Sequence, residues 1–204
     1  MHGCCNSSQA RLRCVCRKAW RCKSSPVHNM LYTRKGDKGK TGTFGCDQKI
    51  SKSSAITEAL GCLDEANSYL GICKNKIKDN GIKDMIDKIQ NDLFIIQAQV
   101  AGADKKIPGN EVKTVERTIN NIEKKLPPIK TFLIPGANEL SANFDFARTL
   151  ARRAERRVVT VSEEKIAKID PETLVYLNRL SSLLYAFARL SAQESGRIET
   201  PPTY

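Results

Sequence analysis

The chain has 204 residues, 40% hydrophobic and 27% charged, which suits one domain with a sizeable core. No run approaches the roughly 18 consecutive apolar residues of a membrane-spanning helix, and 6% aromatics with eight Pro and twelve Gly exclude collagen-like and low-complexity classes. The net charge of +12 points to an anionic partner, but residues 1–30 hold six of the 34 basic side chains and none of the 22 acidic ones, so the rest is only mildly basic and gives no argument for nucleic-acid binding.

Residues 1–29 read as a basic, Cys-rich extension outside the fold, and 30–204 as the folded domain. Five of the eight cysteines (Cys4, Cys5, Cys14, Cys16, Cys22) lie in the extension. No CxxC pair occurs, and His2 and His28 lack metal-ligand spacing, so no zinc site is expected. Cys46, Cys62 and Cys73 read as scattered thiols kept reduced. The extension lacks the apolar stretch of a secretory signal. Its Arg and Ser content and lack of acids partly fit a mitochondrial transit peptide, and a translation start at Met30 is a further reading. The expected location is cytoplasmic, or the mitochondrial matrix if the extension is a transit peptide.

Tyr32 to Lys52 is a loop dense in Gly and charge. Ile56, Leu60, Leu63 and Leu70 then predict a helix over about 53–77, which Asn80-Gly81 punctuates. Ile82, Ile86, Ile89, Leu93, Ile96 and Val100 recur every three or four residues and predict a second helix to about 101. Val112, Val115, Ile119, Ile122 and Leu126 mark a third, ended by Pro127-Pro128. Lys130 to Gly136 reads as an extended connector carrying Phe132. A fourth helix spans about 138–162. Asp170-Pro171 opens a fifth, with Asp at the N-cap and Pro in the first turn, running to about 194. The last ten residues read as frayed, and no strand pair is visible. The fold class is all-α, an antiparallel five-helix bundle.

Four places have the residue types for chemistry. In Thr33-Arg34-Lys35-Gly36-Asp37-Lys38-Gly39-Lys40-Thr41, glycines allow close backbone approach while Lys, Arg and Thr supply charge and hydroxyls, as a polyphosphate cradle requires. It is not a Walker A loop, because Arg34 stands where that motif needs Gly; the alternative is an ordinary solvated turn. On the fourth helix, at about 100° per residue, Arg148, Arg152 and Glu155 share one face, Arg156 lies beside them and Arg153 points elsewhere. This face can clamp phosphates, or it is a solvated, salt-bridged surface. Asn178 and Ser182, one turn apart on the fifth helix, either contact a ligand or bridge helices. Asp64, beside Leu63, is expected to pair with a cation such as Arg148. The only histidines precede residue 29 and no GxSxG or Cys–His pair occurs, so chemistry in this domain rests on positioning or on a reactive co-substrate.

In order along the chain, YTRKGDKGKT, LDEANS, FLIPG, ARTLARRAERRVV and LNRLSSLLYAFAR resemble the PduO-type ATP:cob(I)alamin adenosyltransferases over residues 30–192. The resemblance implies a homotrimeric bundle with active sites between subunits. It implies transfer of the 5′-deoxyadenosyl group of ATP to cob(I)alamin, with release of triphosphate. Thr33, Arg34, Gly36, Asp37, Lys38, Gly39 and Thr41 match the loop around the ATP phosphates, with Mg²⁺ held through those phosphates. Lys52 matches a further ATP contact, though the run GCDQKIS departs from the usual pattern. Arg152, Arg153, Glu155, Arg156 and Asn178 match nucleotide contacts, and Asp64 and Arg148 an intersubunit salt bridge near the corrinoid. Phe132 matches the aromatic that takes the place of the lower cobalt ligand. The substrates implied are ATP and a corrinoid, with a flavin or other reductase as supplier of Co(I) and with no nucleic-acid or membrane partner. Ser182 stands where the family usually has Asp, which removes a carboxylate from the corrinoid side. Pro135-Gly136-Ala137 replaces the usual PGG. A non-enzymatic ATP or cobalamin sensor is the rival reading, and a basic RNA-binding protein, resting on the extension, the third.

Overall fold

The computed structural model describes residues 32, 34–42 and 49–203. The extension 1–29, Thr33 and Cys46 lie outside the described residues. Five helices follow a small hairpin: β1 (Lys40–Gly42), β2 (Lys49–Ser51), α1 (Ala55–Lys76), α2 (Asn80–Val100), α3 (Glu111–Glu123), α4 (Glu139–Glu163) and α5 (Pro171–Glu194).

Side-chain pairs fix how the helices run. Glu58, Glu65, Tyr69 and Lys76 of α1 meet Arg157, Arg153, Asn143 and Glu139 of α4 in reverse order, so the two are antiparallel. On α1 and α2, Lys74 meets Asp87 and the Asn67 carbonyl accepts from Gln90, again antiparallel. The α5 helix runs against α4, where Asn178 meets Glu155 and the Ser191 carbonyl meets Asn138. It runs parallel to α3, where Arg179 meets Glu116 and Gln193 meets the Lys125 carbonyl. The expected bundle is present, with this one packed pair parallel.

The core lies around α5, whose Leu177, Leu180, Leu183, Leu184 and Phe187 are all at most 2% exposed. Its apolar residues extend well beyond one stripe because both α3 and α4 pack on it. Phe144 of α4 lies on Phe187 with ring centres 5.3 Å apart. Cys62 and Cys73 are buried free thiols, and burial pushes the Cys73 thiol up to about 12, which makes it unreactive.

Three expectations change. First, Asn80 and Gly81 are the opening residues of α2, not a break, because the Asp79 carboxylate accepts from the Ile82 N–H at 2.8 Å and caps the helix one residue earlier. Second, a strand pair is present: β1 and β2 are antiparallel with Lys40 opposite Ser51 and Gly42 opposite Lys49. Three-residue strands are too short for alternation to show in sequence. Third, the tail is held down. The Ile134 N–H donates to the Thr200 carbonyl at 2.9 Å, and Glu199 accepts from Arg189, which is 5% exposed.

One buried polar pair ties α2 to α5: the Tyr176 hydroxyl donates to Asp92 at 2.8 Å. Burial raises the Asp92 carboxyl above its ordinary range, and the Tyr176 hydrogen bond partly offsets this. A raised carboxyl binds its proton more tightly when folded. Its contribution to stability is therefore complete below the unfolded value and is lost as pH rises through the folded one. Tyr176→Phe removes the offset. The expected loss is about 1–3 kcal/mol at a pH where Asp92 is charged and left unpaired, and less at a lower pH where it is protonated. Urea unfolding at both pH values measures it, and an equal loss at both would refute the assignment.

Candidate active site

The hairpin loop is built around two backbone requirements. Gly39 has φ +69° and turns the chain into β1, donating its N–H to the Gly36 carbonyl at 3.2 Å. Gly36 leaves room for a side chain: a Cβ there would lie 3.0 Å from Lys52 Nζ. The structure thus brings Lys52 onto the loop, joined also by its N–H to the Gly39 carbonyl at 2.9 Å. The Thr57 hydroxyl lies 2.9 Å from the Lys52 carbonyl and 2.8 Å from that of Ser54, which fixes the hairpin on the start of α1. Arg34 holds φ 56° and stacks over Tyr32 at 5.3 Å, while Asp37 and Lys38 are exposed. Gly36→Ala is expected to push Lys52 aside at a cost of less than about 1 kcal/mol and without unfolding the chain, since the displaced atom ends a flexible side chain. A thermal melt of the variant checks this.

On α4 the Arg run divides as the helical angles require. Arg153 pairs with Glu65 and Arg157 with Glu58 at 3.5 Å, so these two fasten α4 to α1. Arg152 is exposed, and no side-chain hydrogen bond or ion pair engages it among the described residues; its carbonyl accepts from Arg156 at 3.2 Å. Glu155 accepts from Asn178 Nδ2 at 3.0 Å. Arg152, Glu155, Arg156 and Asn178 therefore make one cluster. Arg153, expected to contact nucleotide, pairs with a carboxylate of α1 within the chain. Asn178 does not pair with Ser182, which is exposed. Among the described residues, no hydrogen bond or ion pair joins Arg34, Asp37, Lys38 or Lys52 to this cluster.

A second group lies toward the start of α4. Arg148 donates to Asp145 at 3.4 Å and stacks over the Tyr185 ring at 5.7 Å. Asp145 also accepts from the Gly136 N–H at 3.3 Å, which fixes the end of the connector. On that connector Phe132 is 81% exposed, a large apolar surface left in water. Asp64 is exposed and does not meet Arg148 within the chain, contrary to the simplest pairing; its neighbour Glu65 takes the α4 contact instead. Sequence reasoning passed over Asp145 and Tyr185. Asp145 sits three residues before Arg148, the spacing of a helical ion pair, and that was the available signal.

Residues 31–191 match the family described as Cobalamin adenosyltransferase. This chain belongs to the cobalamin adenosyltransferase family. The corrinoid adenosyltransferase PduO of Citrobacter freundii is 37% identical over 166 residues, 78% of this chain and 49% of that protein, so the chain spans about half the length of that relative. A corrinoid adenosyltransferase of Bacillus subtilis is 34% identical over 174 residues, 81% of this chain and 88% of its own length. A variant PduO-type ATP:corrinoid adenosyltransferase from Lactobacillus reuteri, solved in complex with cobalamin and ATP, superposes with a TM-score of 0.79 at 30% identity over 85% of this chain and 96% of that one. The five-helix architecture is thus that of the cobalamin adenosyltransferases. The matched span includes the hairpin loop, the α4–α5 cluster and Phe132.

Proposed function

We propose that this chain transfers the 5′-deoxyadenosyl group of ATP to the cobalt of cob(I)alamin, giving adenosylcobalamin and triphosphate. The observation that carries the reading is the likeness in fold to an adenosyltransferase solved with cobalamin and ATP. Co(I) is the nucleophile: it attacks C5′, the Co–C bond forms, and the C5′–O bond breaks with its electrons going to triphosphate. No protein base is needed, in keeping with a domain that has no histidine after residue 28. The work of the chain is positioning and charge stabilisation. Arg34, Lys38, Lys52 and the loop N–H groups take the triphosphate, with Asp37 and Thr41 beside them and Thr33 next in sequence. Arg152 and Arg156 add charge, and Glu155 holds the Asn178 amide beside them. Phe132 presents an apolar face to the corrinoid and withholds a lower ligand from cobalt, while Asp145 and Arg148 fix the connector that carries it.

Mg²⁺ is assigned to the triphosphate oxygens, where this cation keeps its preferred oxygen ligands. The likeness to the adenosyltransferase family supports a homotrimer whose sites are completed between subunits, with the exposed Asp64 of one chain meeting Arg148 of another. Among the described residues no helix is long and apolar enough to cross a membrane. The proposed location is the cytoplasm, with the mitochondrial matrix for a chain whose residues 1–29 direct it there; a flavin or other reductase supplies Co(I). The test mixes the protein with ATP, Mg²⁺ and chemically reduced cob(I)alamin and follows Co–C bond formation by absorbance. Protein-dependent adenosylcobalamin with stoichiometric triphosphate is expected. ATP binding without turnover would favour a sensor and would point to Ser182→Asp as the next variant.

A further inference from the structure

A chain of four side chains crosses three helices. Glu116 Oε1 on α3 accepts from Arg179 Nε at 2.8 Å. Arg179 Nη1 donates to Asn178 Oδ1 at 2.8 Å, and Asn178 Nδ2 donates to Glu155 Oε1 on α4 at 3.0 Å. Each link has only one chemically allowed direction. A guanidinium donates and never accepts, and an ionised carboxylate accepts and never donates. The amide between them therefore has one orientation. Turned over, its NH₂ would face the guanidinium and its carbonyl the carboxylate, two repulsive contacts in place of two charge-assisted hydrogen bonds.

We infer that Arg179, braced by Glu116, is a positioning residue for nucleotide binding: it sets the orientation of the Asn178 amide and, through it, of Glu155. This rests on the function proposed above. The amide held this way keeps one N–H and one oxygen lone pair for a ligand, pointing in fixed and opposite senses. A ligand that offers an acceptor beside a donor, as a nucleoside does, meets a preset pattern instead of selecting one of two. The role of Glu116 is to stop Arg179 from swinging away. Arg179 is half-exposed, and a long side chain anchored only at Asn178 would spend much of its time in water. Among the described residues, this ion pair is the polar contact that joins α3 to the cluster.

The experiment is a double-mutant cycle read by calorimetric binding of MgATP to the full chain, with cob(II)alamin binding as a control. Arg179→Ala is expected to weaken ATP binding about five- to tenfold, with cob(II)alamin binding changed by less than about twofold. Arg179→Ala combined with Asn178→Ala should bind no worse than Asn178→Ala alone, since Arg179 acts only through that amide. Glu116→Gln, which keeps an acceptor for Nε, should lose less than Glu116→Ala, and these two variants carry the test if Arg179→Ala folds poorly. Multiplicative losses in the double variant would overturn the inference, as would ATP affinity unchanged in Arg179→Ala. So would an equal loss of ATP and cob(II)alamin binding, the mark of a merely structural part. An unmodified protein that binds no ATP would overturn the proposed function itself. Unmodified protein that binds ATP, with variants indistinguishable from it, would overturn only the role of Arg179.

Discussion

Arg152→Ala is expected to lower kcat/KM for ATP by about 10²-fold while leaving the melting temperature unchanged. The size follows from removing one charged donor from the proposed triphosphate site, on the order of 3 kcal/mol. The unchanged stability follows from the structure, because the Arg152 side chain is exposed and has no partner within the chain to lose. Its neighbour supplies the contrast. Arg153→Ala breaks the pair with Glu65, a half-exposed ion pair contributing less than about 1 kcal/mol, and should leave kcat/KM nearly intact. Steady-state kinetics with ATP varied, together with thermal melts of both variants, separates the two. If Arg153→Ala proved the slower enzyme, the division of this Arg run by helix face would be wrong.

That division shows how far the sequence reaches. Helical angle alone sends Arg153 away from Arg148, Arg152 and Glu155, and the structure agrees; what angle cannot say is what waits on the other side. Glu58 and Glu65 on α1 decide it, and their position depends on how two helices distant in sequence pack. The five helices were legible because each carries apolar residues at three- and four-residue spacing, and Asp170-Pro171 marked the start of α5 through local chemistry alone. The Asp79 cap was equally local but was masked by Asn80-Gly81, a dipeptide that usually ends structure. The β1–β2 hairpin was illegible because its strands are three residues long. Within the site, Lys52 at Gly36 depends on the hairpin closing, and Asp145 between Arg148 and Gly136 depends on the connector returning to α4. Neither can be read from spacing.

Ser182 has a clear physical consequence in this setting. It is exposed on α5 one turn beyond Asn178 and makes no side-chain hydrogen bond among the described residues. The residue is therefore not needed to hold the bundle, and a carboxylate placed there would add negative charge without breaking an existing contact. The difference from the family pattern is one of site charge and not of fold. Corrinoid activation is where that difference should be read.

Glu199→Ala is expected to lower stability by about 3 kcal/mol and to loosen the corrinoid side more than the nucleotide side. Arg189 is 5% exposed and has two partners: Nε donates to Glu199 at 3.0 Å and Nη2 to the Pro127 carbonyl at 3.0 Å. Removing the carboxylate leaves a buried guanidinium on a single neutral acceptor. For a chain of this size the loss corresponds to a fall in melting temperature of roughly 6–12 °C. The functional effect follows from what the tail holds. Thr200, one residue beyond Glu199, accepts from the Ile134 N–H at 2.9 Å, two residues from Phe132. An open groove of about 530 Å³ lies between this tail and the connector, lined by Ile129, Thr131, Leu133, Arg189, Ile198 and Pro201. The space offers little packing to hold the connector once the ion pair is gone, so Phe132 would sample more positions against the corrinoid. KM for the corrinoid should rise several-fold, with KM for ATP little changed. Glu199→Gln keeps an acceptor for Nε and should recover part of both losses. A melting temperature equal to that of the unmodified chain, or parallel rises in both KM values, would show that the tail does not brace the connector.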